Sequence, residues 1–155
     1  MEIQDFKGYW AWPHTMTVHF VLAVPDDKWE FSPDGGERFG PFSRQLRHVV
    51  CVRGVYNEAL ATGRADFSRI REHYSGPLTR EALLTALNEK QQAFMKALDA
   101  VDTSKKIDFS GAGFDFDVFL CEVIQHESIH HGQWSVYAAA GGFASPKSWQ
   151  SGWKL

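Results

Sequence analysis

Three stretches of this 155-residue chain place apolar residues at every third or fourth position, which is the spacing of one face of an α-helix, and prolines bound a fourth predicted helix. The most regular stretch follows Thr79, a residue type that caps helix N-termini. Apolar and polar residues alternate only around Lys106 to Phe109, and that segment is too short to found a sheet. The pattern therefore predicts an all-α protein, a four-helix bundle that forms a single domain over residues 1–155.

Proline and glycine predict where the helices begin and end. Pro13 stands where the first helix can begin and Pro25 where it must stop, which gives a helix over about residues 13–24. The loop that follows, residues 25–41, is rich in glycine, proline and aromatic residues, and its rings are expected to pack onto the body. The other helices are predicted from a cap at Ser43 to Thr62, from a cap at Thr79 to Val101, and from a cap at Asp115 or Asp117 to Ala140.

Composition and charge exclude several classes of function. The 16 basic and 19 acidic residues give a net charge of −3 without a basic cluster, so nucleic acid is not an expected partner. The apolar stretch Val18 to Val24 is far shorter than the roughly 18 residues of a membrane span, and Met1 does not begin a basic signal peptide. We therefore expect a cytoplasmic protein without a membrane partner. Cys51 and Cys121 have apolar neighbours in the sequence and are expected to be reduced and buried.

Two of the seven histidines have a spacing that suits metal binding. His126 and His130 are four residues apart, so on a helix their imidazoles lie on one face, about 6 Å apart, where both can bind one ion. They continue the apolar stripe of the fourth predicted helix, and a buried imidazole needs a metal or a hydrogen-bond partner. The pair indicates a metal site, with two hydrogen-bonded core histidines as the alternative.

The same segment reads His-Glu-Ser-Ile-His, the H-E-x-x-H pattern of zinc proteases, with Glu127 in the position of the general base. Neither known way of completing a protease site is present. No Asp or Glu follows Glu127, and Gln133 and Val136 replace the glycine and the third histidine of the longer pattern. The sequence predicts that this is not a protease, and that Glu127 faces solvent or supports the metal ligands from behind.

A third ligand must come from another helix. His48 is the best candidate because it lies in the middle of the second predicted helix, which a bundle can bring against the fourth. His14 and His19 lie on the first helix, and His73 lies in a connector. Three imidazoles with open positions on the ion are typical of a catalytic metal. Cys51, one turn beyond His48, either lines the site or is an inert buried thiol.

Two other features have open interpretations. Gly132 inside the fourth predicted helix costs about 1 kcal/mol relative to alanine, which indicates close approach of another backbone or simple tolerance. Arg44, Arg47 and Arg53 on the second helix either hold an acidic cosubstrate near His48 or form an ordinary solvated face.

The order and spacing of these residues resemble a known family. A histidine in the second helix, an H-x-x-x-H followed by Gly132-Gln133 in the fourth, and a helix end at Gly141-Gly142 are similar to the DinB/YfiT-like superfamily of metalloenzymes. The resemblance covers about residues 10–149 and implies a four-helix bundle, often a homodimer, with one divalent metal, zinc or nickel, held by three histidines. These map here onto His48, His126 and His130.

The resemblance also implies a reaction, because characterised relatives such as mycothiol-dependent maleylpyruvate isomerase and bacillithiol S-transferases use thiols. The leading hypothesis is therefore a metal-dependent enzyme with a thiol-dependent S-transferase-type activity, a low-molecular-weight thiol as cosubstrate and a small-molecule substrate. One alternative is a metal-dependent hydrolase that uses bound hydroxide, with Glu127 or another carboxylate as proton carrier. The other is a non-catalytic bundle that binds a metal or a small molecule. Imidazole ligands alone do not select the metal.

Overall fold

A computed structural model describes residues 2–153 and contains four long helices, one short helix and a small sheet. The helices are α1 (Ile3–Ala23), α2 (Phe42–Thr62), α3 (Arg80–Leu98), α4 (Phe116–Gly141) and α5 (Lys147–Trp153), and the strands are β1 (Arg64–Ala65), β2 (Ile107–Phe109) and β3 (Ala112–Phe114). Two 3₁₀ segments cover Asp26–Lys28 and Phe67–His73. The predicted all-α fold is confirmed.

The long helices form a bundle in which each packs against two others. Helix α2 contacts α3 and α4, and α1 completes the ring by contacting the same two helices. Apolar side chains fill the space between them, and Gly63 and Gly142 end α2 and α4 in the left-handed conformation that glycine adopts without strain. Opposed faces of α2 and α4 therefore meet inside the bundle, which is where the predicted site residues lie.

Helix α1 begins at Ile3, about ten residues before the predicted start, and Pro13 lies inside it. A proline within a helix removes one backbone hydrogen bond and costs about 3 kcal/mol. The residues before Pro13 offset that cost, since Phe6 and Trp10 are fully buried and their stacked rings both contact Phe94 of α3. Burial of this aromatic cluster therefore determines where α1 begins.

The alternating segment that we judged too short for a sheet does form one. Strand β2 pairs with β3 in antiparallel register and with β1 in parallel register. Ser110 and Gly111 connect β2 to β3 with positive φ angles of 54° and 90°, as in the tight turns that suit hairpins. Ile107 is buried against the helical core, so the bundle stabilises strands that would not form alone.

The loop between α1 and α2 and helix α5 pack against the second core cluster of the bundle, away from this sheet. As predicted, aromatic rings of the loop between α1 and α2 contact the core, and the Trp29 indole donates a hydrogen bond to the Leu78 carbonyl. Helix α5 buries Trp149, whose indole donates to the carbonyl of Met16 on α1. No helix within residues 2–153 is long and apolar enough to cross a membrane.

Candidate metal centre

Helices α2 and α4 bring His48, His126 and His130 together. The Nε2 atom of His126 lies 3.2 Å from the Nε2 atoms of both His48 and His130. One ligand atom from each of the three residues lies within 4.8 Å of the others, and no other group of three such residues in the described chain is this close. His130 is buried, His126 is half-buried and His48 is exposed, so the cluster opens to solvent on the α2 side.

Helix geometry and ring packing position these imidazoles. His126 and His130 are one turn apart on α4, with ring centroids 4.6 Å from each other. Tyr56 on α2 packs edge-on against His126 with ring centroids 6.1 Å apart. The ring centroids of Trp134 and His130 are 6.2 Å apart. Nδ1 of His130 is buried without a hydrogen-bond partner among residues 2–153, so packing rather than a polar partner holds this ring.

Burial keeps the three imidazoles neutral. It lowers the pKa of His126 to about 4 and that of His130 to about 3, and for His130 the neighbouring histidines lower it further. The side chain of His48 is exposed but partly desolvated by its neighbours, which lowers its pKa, and the charge of Arg47 lowers it further. Neutral imidazole is the form that binds metal ions, so the site presents metal-binding nitrogens at neutral pH.

The contacts between the three Nε2 atoms fit a shared cation better than hydrogen bonds. His126 Nε2 faces two other Nε2 atoms, and a single ring nitrogen cannot form a good hydrogen bond to both of them. Nitrogens bound to a tetrahedral zinc at about 2.0–2.1 Å lie about 3.3 Å apart, close to the 3.2 Å observed here. The residues present therefore suit a divalent ion with three imidazole ligands and open positions.

Glu127 does not face this cluster and does not face solvent. Its side chain is 2 % exposed and forms an ion pair with Arg53 of α2, whose Nη2 lies 2.6 Å from Oε1. Thr17 of α1 also donates a hydrogen bond to the carboxylate. Burial alone would raise the pKa of Glu127, but the charge of Arg53 and the hydrogen bonds from Arg53 and Thr17 hold it at about 2. Of the two expected placements of Glu127, the solvent-facing one is thus wrong, and the carboxylate considered as a hydrolase's proton carrier is already paired with Arg53.

The ion pair belongs to a buried polar network that sequence analysis missed. Nη1 of Arg53 lies 2.9 Å from Nδ1 of His14, and Thr17 Oγ1 lies 2.8 Å from Nε2 of His131. Burial lowers the pKa of both His14 and His131 to about 4. The available signal was Arg53 itself, which continues the apolar stripe of α2 and therefore needed a buried partner of opposite charge. The network joins α1, α2 and α4 beside the histidine cluster.

The arginines of α2 and the two cysteines differ in burial and in their partners. Arg53 is buried and paired, so it is unable to hold a cosubstrate, whereas Arg44 and Arg47 near His48 form no ion pair within the described chain. Cys51 is buried outside the cluster and burial raises its pKa, which fits an inert thiol. Contrary to expectation, Cys121 is exposed.

His19, His73 and Gly132 lie outside the histidine cluster. His19 on α1 contacts Ser148 of α5, and His73 contacts Glu58 of α2, so neither approaches the cluster. An added Cβ at Gly132 would meet nothing within 4 Å, so no backbone approaches this glycine in the described residues. Of the two interpretations of Gly132, close approach within the chain is therefore wrong.

Comparison with known proteins agrees with this architecture. The chain is similar in fold to the crystal structure of a DinB-like protein, YjoA, from Bacillus subtilis, with a TM-score of 0.70 and 13% sequence identity over 92% of this chain and 95% of that chain. No curated protein sequence matches the chain. The sequence model of the DinB family matches residues 2–149, which is nearly the whole chain. The protein therefore belongs to the DinB family.

Proposed function

We propose that this protein is a metal-dependent enzyme in which His48, His126 and His130 hold one divalent ion, zinc or nickel, for a thiol-dependent transfer reaction. The observation that carries the proposal is the cluster itself: three neutral imidazoles whose Nε2 atoms converge at the spacing of ligands to one ion. No carboxylate or thiolate belongs to the cluster, so the ligands leave the full charge of a dication available to a bound anion.

The opening of the site favours an exogenous ligand. His48 is exposed while His130 is buried, so a small molecule can approach from the α2 side and reach all three nitrogens. When bound, a divalent ion lowers the pKa of a coordinating thiol or water so that the deprotonated nucleophile forms near neutral pH. Cys51 is not part of the cluster, so a thiol that acts there comes from outside the chain.

Arg47 and Arg44 give this opening a positive charge. Arg47 is half-buried next to His48 and acts electrostatically on both His48 and Cys51, and Arg44 lies one turn earlier on α2. Because neither forms an ion pair within residues 2–153, both are available to a carboxylate on the thiol cosubstrate. In the transfer, the thiol loses its proton, its sulfur bonds to an electrophilic carbon, and the leaving group departs with the bonding electron pair.

Cobalt substitution tests this function. A sulfur-to-metal charge-transfer band should appear when bacillithiol, mycothiol, glutathione or coenzyme A is added to the cobalt-loaded protein, with release of a proton. His130→Ala should lack the band. Arg47→Gln should retain the metal but should need a higher concentration of a carboxylate-bearing thiol to give the same charge-transfer band. Arg71→Gln, at an exposed position outside the cluster, should behave as the parent.

The same assay distinguishes the alternatives. Each thiol is then offered with an electrophile such as a chlorinated dinitrobenzene, and at least one should give a thioether at a rate that follows metal content. A cobalt spectrum that no thiol changes, together with ester or amide hydrolysis that follows metal content, would replace the transferase with a hydrolase. If neither activity is detected, the protein is a binding module.

A further inference from the structure

Buried polar atoms without partners concentrate around one candidate metal ligand. Six buried side-chain nitrogen or oxygen atoms lack a hydrogen-bond partner within residues 2–153, and three of them lie within five residues of α4. They are Nδ1 of His130, Oε1 of Gln133 and Nε1 of Trp134. Because a buried polar atom is normally hydrogen-bonded, such a concentration beside a candidate ligand requires an explanation.

Metal binding changes which partner His130 needs. Nε2 of His130 lies 3.2 Å from Nε2 of His126 and faces the cluster, so this nitrogen is the one placed to bind an ion. A neutral imidazole that uses Nε2 as a ligand carries its proton on Nδ1, which is then a hydrogen-bond donor. Histidines that bind metals almost always donate this proton to an oxygen acceptor. His130 therefore needs a buried acceptor when its Nε2 holds an ion.

Gln133 offers that acceptor. It follows His130 by three residues, so on α4 the two side chains are neighbours on one face. Side chains on a helix lean toward its N-terminus, which directs Gln133 back over the turn that carries His130. Gln133 is half-buried, but its Oε1 is fully buried and has no partner within the described residues. A buried acceptor without a donor therefore lies one turn from a buried imidazole without an acceptor.

Other oxygens are less suited to this role. Among the six partnerless atoms of residues 2–153, the only other oxygen is Oδ1 of Asn57 on α2, whose amide donates to the Lys90 carbonyl of α3. The carboxylate of Glu127, the nearest acidic group on α4, is already paired with Arg53. Gln133 is thus the acceptor that combines burial, position and a free oxygen.

We propose that Gln133 is a positioning residue of the metal centre, whose Oε1 accepts a hydrogen bond from Nδ1–H of His130 when Nε2 of His130 binds the ion. The inference rests on the proposed metal centre and adds a residue that holds a ligand from behind. The bond fixes the imidazole ring and makes Nε2 a stronger electron donor to the ion. Because an amide is uncharged, it does this without adding negative charge to the site. An amide oxygen has two lone pairs, so Trp134 Nε1 can donate to it as well.

Zinc titration into chelator-treated variants tests the proposal. Gln133→Met keeps the length of the side chain but has no oxygen acceptor, and it should bind zinc about 10–100-fold more weakly than the parent. Gln133→Glu retains an acceptor and should bind zinc at least as tightly as the parent. Gln92→Met makes the methionine replacement at an exposed position of α3 and should leave the zinc affinity unchanged.

Two further measurements separate this role from a purely structural one. In the metal-free protein, Gln133→Met removes a buried oxygen that has no partner, so the thermal midpoint should stay the same or rise while the zinc affinity falls. In zinc-loaded protein with nitrogen-15 histidine, one Nδ1 proton that exchanges slowly with water in the parent should exchange rapidly in Gln133→Met. The same proton should stay protected in Gln92→Met.

Zinc binding by the parent separates this inference from the metal centre itself. If the parent and Gln133→Met bind zinc equally well, the role of Gln133 is contradicted and the metal centre stands. If Gln133→Met binds zinc weakly but also lowers the thermal midpoint of the metal-free protein, Gln133 acts through packing and the proposal is again wrong. A parent that binds no zinc overturns both.

Discussion

Glu127 and Arg53 form a fully buried ion pair within one turn of two candidate metal ligands. In a zinc protease the glutamate of H-E-x-x-H faces the ion and activates water. Here the carboxylate is bonded to Arg53 and to Thr17, and its low pKa of about 2 leaves it without affinity for a proton at neutral pH. The geometry supports a structural role for Glu127 and agrees with the prediction that this chain is not a protease.

Replacing Glu127 with Gln should therefore affect stability rather than metal binding. Removing one partner of a buried pair leaves the other charge unpaired, which costs about 3–5 kcal/mol. We expect Glu127→Gln to lower the urea midpoint strongly while the folded protein keeps its metal. The metal-loaded parent should leave unfolded protein substrates uncut.

Glu89→Gln, at an exposed position of α3, serves as the matched control and should change the midpoint little. Chelator-sensitive peptide cleavage by the parent that disappears in Glu127→Gln would show that the carboxylate is catalytic after all. Loss of metal without loss of stability would instead show that Glu127 supports the metal ligands.

The buried histidines predict how stability depends on pH. Burial lowers the pKa of His14, His126 and His131 to about 4 and that of His130 to about 3, against about 6.5 in an unfolded chain. Between pH 6.5 and 4 the unfolded state therefore binds more protons, so their contribution to stability is complete above pH 6.5 and is lost as the pH falls through this window. Glu127, with its lowered pKa, adds a loss in the same direction below about pH 4.5.

Urea unfolding of chelator-treated protein at pH 7, 6 and 5 measures this effect. The midpoint should fall at each step. A midpoint that stays constant or rises toward pH 5 would mean that these histidines are protonated in the folded state, and the account of the buried network would be wrong.

At this scale the sequence predicted the spacing of His126 and His130 but not the surroundings of Glu127. Two imidazoles one turn apart share a face of any helix, whatever packs against it. Glu127 lies about 100° around α4 from His126, so whether its side chain meets solvent or α1 depends on how the helices pack. Arg53 within an apolar stripe was the only local indication of that packing.

Among the elements, α1 departs most from its predicted extent. Proline at position 13 is an ordinary helix start, and the residues before it gave little periodic signal. The first three turns exist because Phe6 and Trp10 bury their rings against α3, a contact distant in sequence. The β2–β3 hairpin was missed for the same reason, since its strands depend on the core that covers Ile107.

The packing of Phe6 leads to a stability prediction for α1. Phe6 is fully buried between Trp10 and Phe94, and removing a buried aromatic ring costs about 3–5 kcal/mol. Phe6→Ala should lower the thermal midpoint strongly, whereas Gln4→Ala, at an exposed position two residues earlier, should have little effect. Equal midpoints for the two variants in a thermal scan would mean that the helix before Pro13 does not contribute to the core.

On the scale of the whole molecule, the bundle holds one site between two helices distant in sequence. Helix α2 supplies His48 and α4 supplies His126 and His130, so the histidine cluster exists only when these helices pack. A metal ion that binds the cluster would therefore bind only the folded state and would raise its stability.

Calorimetric titration of zinc into chelator-treated protein tests the central claim most directly, namely that His48, His126 and His130 bind one divalent ion. The parent should bind about one equivalent of zinc per chain. His48→Ala, on a different helix from the other two ligands, should lose at least an order of magnitude in affinity, whereas His19→Ala, also at an exposed position, should bind like the parent. Equal zinc affinity in His48→Ala and the parent would contradict the assignment of the metal centre.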